Sequence, residues 1–109
     1  MNRDLIMEEY KKILEDDIQI LDYEDLRYSI FEGPENNRQE YKIRIEKIGE
    51  TFEVYMTADR AGVMGKYKFK DIFDAFHQFL SIMQDTILSN RKRVRDGDPP
   101  EYPCQLWDK

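Results

Sequence analysis

The sequence predicts an α+β domain with element order α-β-β-β-β-α: a four-stranded antiparallel sheet with two helices, N-terminal and C-terminal, on one face. Three observations carry that expectation. Ile72, Phe73, Phe76, Phe79, Leu80, Met83, Ile87 and Val94 recur at helical spacing across 70–94 and gather on about one third of a helix circumference. Four segments between Leu26 and Lys70 alternate apolar and polar residues with period two. The length of 109 residues suits a single hydrophobic core, so 1–109 reads as one domain.

A first helix is expected from Asp4, a capping residue, to between Asp16 and Ile20, with Ile6, Tyr10 and Ile13 as its stripe and Met7 and Leu14 beside them. Glu8 and Glu9 suit the positive end of its dipole, whereas Glu15, Asp16 and Asp17 lie where the dipole disfavours them. Leu26, Tyr28 and Ile30 alternate with Arg27, Ser29 and Phe31, giving a first strand. Turn chemistry follows at Gly33-Pro34-Glu35-Asn36-Asn37. Tyr41, Ile43 and Ile45 give a second strand, and Phe52, Val54 and Met56 a third, joined across Gly49-Glu50 closely enough to be antiparallel. Asp59 to Gly65 reads as a loop with two glycines, and Tyr67 and Phe69 give a short fourth strand. Asp71 should cap the long helix, and Arg91, Lys92, Arg93 and Arg95 suit its C-terminal end, with Gly97 as the stop. The tail from Asp98 to Lys109 contains Pro99, Pro100 and Pro103, which exclude regular helix and central strand, yet it carries Tyr102, Leu106 and Trp107. It is therefore expected to pack back on the domain, with Trp107 near Phe31 or Tyr55 on the outer sheet face.

The net charge of −6 is unevenly placed. Residues 1–40 hold five Lys/Arg against twelve Asp/Glu, a balance of −7, while residues 41–109 hold twelve against eleven, a balance of +1. Glu15, Asp16, Asp17, Asp22, Glu24 and Asp25 concentrate that excess, and either a solvated surface or a docking patch for a basic partner fits them. Their spacing is not that of a calcium loop.

Other chemistry is sparse. With a single histidine, His77, and a single cysteine, Cys104, no zinc site is expected by the usual spacings. Nothing in sequence near Cys104 would activate a nucleophilic thiol. Gly62-Val63-Met64-Gly65-Lys66 lacks the ending of a phosphate loop. No catalytic residue, metal or cofactor is expected. The outer sheet face offers Arg27, Lys42, Arg44, Lys66, Lys68 and Lys70 against Glu40, Glu46 and Glu53, with Phe31 and Tyr55 among them. Aromatic residues on a cationic sheet can stack single-stranded bases, so a small nucleic-acid-binding regulator is the alternative reading. No segment approaches ~20 consecutive apolar residues, and the start lacks the basic-then-apolar pattern of a secretory signal. One cysteine excludes an internal disulfide, and a reducing cytoplasmic setting is expected.

Four stretches bear a family pattern: Asp25-Leu26-Arg27-Tyr28-Ser29-Ile30-Phe31-Glu32-Gly33, Asn36-Asn37-Arg38-Gln39-Glu40, Glu53-Val54-Tyr55-Met56-Thr57-Ala58-Asp59-Arg60-Ala61, and Pro99-Pro100-Glu101-Tyr102-Pro103 with Leu106-Trp107-Asp108-Lys109. With them the chain resembles the immunity proteins of bacterial polymorphic-toxin systems, most closely the immunity protein 59 family. The similarity covers nearly the whole chain and is weakest over the first helix. The resemblance implies a non-enzymatic cytoplasmic protein that binds and blocks a cognate toxin domain, and it carries no binding residues over. A basic toxin, a nuclease among the candidates, would suit the acidic first third.

Overall fold

The computed structural model describes residues 3–33, 39–58 and 62–108, with the side chains of Arg3 and Asp4 outside that description. The expected Asp4 cap and most of the expected turn after the first strand therefore lie outside the described residues. Six elements follow in chain order: α1 (Arg3–Ile20), β1 (Tyr28–Ile30), β2 (Ile43–Ile48), β3 (Thr51–Thr57), β4 (Val63–Phe69) and α2 (Ile72–Arg95), with a 3-10 helix at Gln105–Asp108.

The sheet runs β1-β2-β3-β4. It is mixed, not fully antiparallel as the sequence suggested: β1 pairs with β2 in parallel, Tyr28 beside Ile43 and Ile30 beside Ile45, while β2–β3 and β3–β4 are antiparallel. Parallel neighbours need a connection of about a dozen residues, and residues 31–42 supply it. The turn residues at 33–37 signal a change of direction but not how many changes follow. Phe31 and Tyr41, at the two ends of this crossover, take φ of 56° and 54°, conformations costly for bulky side chains. Gln39 O accepts from the Thr57 hydroxyl at 2.7 Å, and Thr57 Oγ1 accepts in turn from Lys42 N at 2.8 Å, which ties the returning chain to β3.

Gly49 takes φ +59° in the two-residue connection between Ile48 and Thr51. In β4 the register shifts by one residue, so that Gly65 and Lys66 together oppose Tyr55, and Gly65 has φ +55°. This is a β-bulge with glycine in the left-handed position. It explains why β4 starts at Val63, inside a stretch whose glycines suggested only a loop.

Alternation sends Tyr28, Ile30, Ile43, Ile45, Phe52, Val54 and Met56 to one face of the sheet, where α2 meets them. Tyr28 and Phe79 make an edge contact at 6.3 Å, and the Thr86 hydroxyl lies 3.9 Å from Met56 Sδ. Asp71 caps α2 by accepting from Phe73 N at 2.7 Å. The helix ends in paired bonds, Gly97 N to Val94 O and Asp98 N to Arg93 O, with Gly97 at φ +82°. The stripe is buried through Phe76, Phe79, Met83 and Ile87, while Phe73 and Val94 at its margins are exposed. In α1 the buried stripe passes through Leu14 and Ile18, with Met7 and Tyr10 beside it, so Ile13, expected inside, faces out. Tyr10 contacts the rings of Phe73 and Phe76.

The tail joins the same core. Tyr102, Leu106 and Trp107 are buried, and the Trp107 ring packs 5.4 Å from Tyr102 while its Nε1 donates to Tyr102 O. Trp107 therefore does not sit beside Phe31 or Tyr55 on the outer sheet face. Asn90 draws the tail to α2 instead: its fully buried side chain donates to Glu101 Oε1 (2.9 Å) and accepts from Glu101 N (2.7 Å). Phe31 also departs from expectation. Its left-handed backbone breaks the strand alternation and turns the ring toward Phe52, 6.3 Å away on the core face.

Candidate partner-binding surface

Two surfaces stood out from sequence, and the structure treats them differently. The outer sheet face is closed over its centre, at Arg44 and Tyr55, while Lys66 and Lys68 on β4 stay exposed. Arg44 is 0% exposed and Tyr55 3%, and Glu46 and Glu53 are buried beside them. The crossover causes this at one end: Arg44 Nη2 donates to Gly33 O and bonds Glu46 Oε1 at 3.1 Å, while Gly33 N donates to Glu46 Oε2 at 2.9 Å. Lys66 closes the other end, its ammonium 3.1 Å from Glu53 Oε1 and 5.1 Å from the Tyr55 ring centre. With Tyr55 covered and Phe31 on the core side, no aromatic pair is presented for base stacking, and the arrangement does not favour the nucleic-acid reading.

The acidic residues lie around the end of α1 and the loop that follows. α1 runs on to Ile20 with no basic residue in its last turn. Tyr23 N bonds Ile18 O and Asp22 N bonds Gln19 O, both at 3.0 Å, with Asp22 at φ +63°. This is the same terminating motif that Gly97 completes on α2, built here on an aspartate. Asp16 is exposed and Glu15 and Asp17 are half-buried on α1, while Asp22, Glu24 and Asp25 are exposed on the loop. Burial pushes the Tyr28 hydroxyl above its ordinary value of 10.0, and the charges of Glu15, Glu24 and Glu32 push it further. Glu32 was missed by sequence reasoning because it follows the first strand, outside the 15–25 cluster. Its signal was only its place in the acidic first third.

The loop is braced from behind by the tail. Cys104 Sγ lies 3.7 Å from Asp25 O, Arg27 N donates to the Tyr102 hydroxyl at 3.2 Å, and the Arg27 guanidinium stacks 4.1 Å above the Tyr102 ring. Leu26 anchors it in the core and bonds Tyr23 O through its amide. A surface held this way loses little conformational freedom on binding.

A carboxylate at the negative end of a helix, in the left-handed conformation that suits glycine, is a local cost. Asp22→Gly should raise stability by about 0.5–1 kcal/mol, read from the Tm, because the strain and the dipole repulsion vanish together. A fall in Tm would mean that contacts made by Asp22 outweigh both.

Among the described residues no three His, Cys, Asp or Glu side chains gather in a way that could hold a metal ion. His77 is exposed on α2. No helix among these residues is long and apolar enough to cross a membrane. No curated protein and no solved structure matches the chain. The description of one protein family does match, immunity protein 59, over residues 7–108, which takes in every element except the first turn of α1. The chain belongs to the immunity protein 59 family.

Proposed function

We propose that this protein neutralises a cognate bacterial toxin domain in the cytoplasm by binding it, with no catalytic step of its own, and that Glu15, Asp16, Asp17, Asp22, Glu24 and Asp25 form the docking surface. Family membership supports the class of activity. The observation that carries the choice of surface is that the excess negative charge of residues 1–40 is displayed at the end of α1 on a loop braced by the tail. Neutralisation must outrun the toxin, and charge complementarity raises association rates by roughly 10–10³-fold. The partner that fits is a basic domain. A nuclease has such a surface in its phosphate-binding cleft, and carboxylates laid along it would occupy the phosphate track.

Replacing Asp16, Asp17, Asp22 and Asp25 together by lysine tests this. Association with the toxin domain should slow by about tenfold or more at low salt, and the deficit should shrink toward about 1 M salt as screening removes the long-range field. The Tm should not fall, since none of the four side chains is buried. Wild-type association rates and undiminished protection of cells would return the patch to an ordinary solvated surface.

A further inference from the structure

We infer that Ile20 is the apolar anchor of the toxin interface: a knob on the exposed face of α1 that enters a recess in a basic partner domain, with the neighbouring carboxylates as its rim. This rests on the toxin-binding reading above and deepens it.

Ile20 is 81% exposed, more than any other large apolar side chain among the described residues. Leu21 follows it and is exposed as well. At 3.6 residues per turn, Leu5, Ile13 and Ile20 fall within about 80° of one another on α1, opposite the buried Leu14 and Ile18. Glu9 and Asp16 fall inside the same sector. α1 is thus amphipathic toward the core and carries a second, mixed apolar and acidic face toward solvent. Among the described residues Ile20 takes no part in the core. A β-branched residue lowers helix propensity and gains nothing in water.

The charge on that face selects its occupant. A second copy of this chain would set Asp16 and Glu9 against their own kind in a two-fold contact. An anionic membrane surface would repel the same carboxylates. A basic protein surface with an apolar recess satisfies both halves of the pattern. It also fits the usual division within an interface, in which a few central apolar anchors set the lifetime of the complex and rim charges set the rate of encounter. Phe73 and Leu88, also exposed, lie on α2 and not on the helix that carries the carboxylates.

The probe is the C-terminal domain of whatever protein the reading frame next to this chain's own encodes, with kinetics measured on the full chain at low and high salt. Ile20→Ala should speed dissociation by roughly tenfold or more, leave association within about twofold, and keep its effect at high salt. Ile48→Ala, an equally simple truncation at the exposed β2–β3 connection, should change neither rate. In isoleucine-methyl NMR spectra of the unmutated complex, Ile20 and Ile13 should shift and Ile48 should not. If Ile20→Ala dissociates at the wild-type rate while the four-lysine variant associates slowly, the anchor is refuted and the acidic surface stands. If the wild-type chain neither binds the domain nor protects cells from it, the toxin-binding reading falls and the anchor with it. Concentration-dependent dimers of the free chain that Ile20→Glu dissolves would identify the occupant as a second copy and overturn the proposal.

Discussion

Glu46→Ala should destabilise the protein by about 3–5 kcal/mol, far more than a surface carboxylate would. Arg44 is fully buried and Glu46 nearly so, and they bond at 3.1 Å. Removing Glu46 leaves a guanidinium out of water without a counter-charge, and the uncompensated ion, not the lost bond, sets the cost. Arg44 has little in reserve: among the described residues its Nε and Nη1 meet no acceptor, and the adjacent Ser29 hydroxyl meets no partner either. Replacing both members by apolar residues of similar volume, Arg44→Met with Glu46→Leu, should recover most of the loss, because neither charge then has to be desolvated. A loss below about 1 kcal/mol for Glu46→Ala in denaturant melts would mean that water reaches Arg44 once the carboxylate is gone.

The same pair has a pH signature. Burial raises the Glu46 carboxyl above its ordinary value of 4.5, against the pull of Arg44 and the Gly33 amide. The native state therefore holds this proton more tightly than the unfolded chain does. Stability contributed by the protonated carboxyl is present at low pH and declines as pH rises from about 4.5 through the raised native value. Glu46→Gln removes the titration, so wild type should lose stability relative to this variant as pH rises through that window. A constant difference between the two would show that native and unfolded carboxyls titrate alike.

Arg44 also marks where the sequence could be read and where it could not. Period-two alternation put it on the sheet face opposite Ile43 and Ile45, and that is where it lies. Alternation says which side a residue faces, but not what covers that side. The cover depends on the crossover, and so on β1 being parallel to β2, and turn-forming residues at 33–37 suit either direction of return. Phe31 failed for a related reason, since one left-handed residue at a strand end reverses the alternation that predicted its side. The long helix was legible almost to the residue because its cap, its stripe and its terminal glycine agree. The surface around α1 was half legible. The carboxylates showed as a charge imbalance, while Ile20 was hidden because a lone apolar residue out of phase with the stripe looks like noise until the helix is known to extend past Asp16.

Asn90→Ala should cost about 2–4 kcal/mol and release the tail from α2. Asn90 is 0% exposed, and its side chain makes three hydrogen bonds: to Thr86 O and Glu101 Oε1 as donor, and from Glu101 N as acceptor. Alanine leaves the Glu101 amide without that acceptor and opens a small void, and an orphaned buried donor costs roughly 1–3 kcal/mol by itself. The Arg91 Nε bond to Leu106 O, at 2.9 Å, becomes the main polar tie remaining between α2 and the tail. Trp107 reports directly, being the single tryptophan in the chain and buried against Tyr102. In wild type its emission should be blue-shifted and poorly quenched by iodide, and in Asn90→Ala it should move to the red and become quenchable at denaturant concentrations below the main transition. Because the tail braces Asp25 through Cys104 and Arg27 through Tyr102, the variant should also loosen the acidic loop. Amide exchange should then quicken at Leu26 and Arg27, whose N–H groups bond Tyr23 O and the Tyr102 hydroxyl. Unchanged Trp107 emission together with a Tm close to wild type would show that Tyr102, Leu106 and Trp107 hold the tail by apolar burial alone, and that Asn90 only tunes its position.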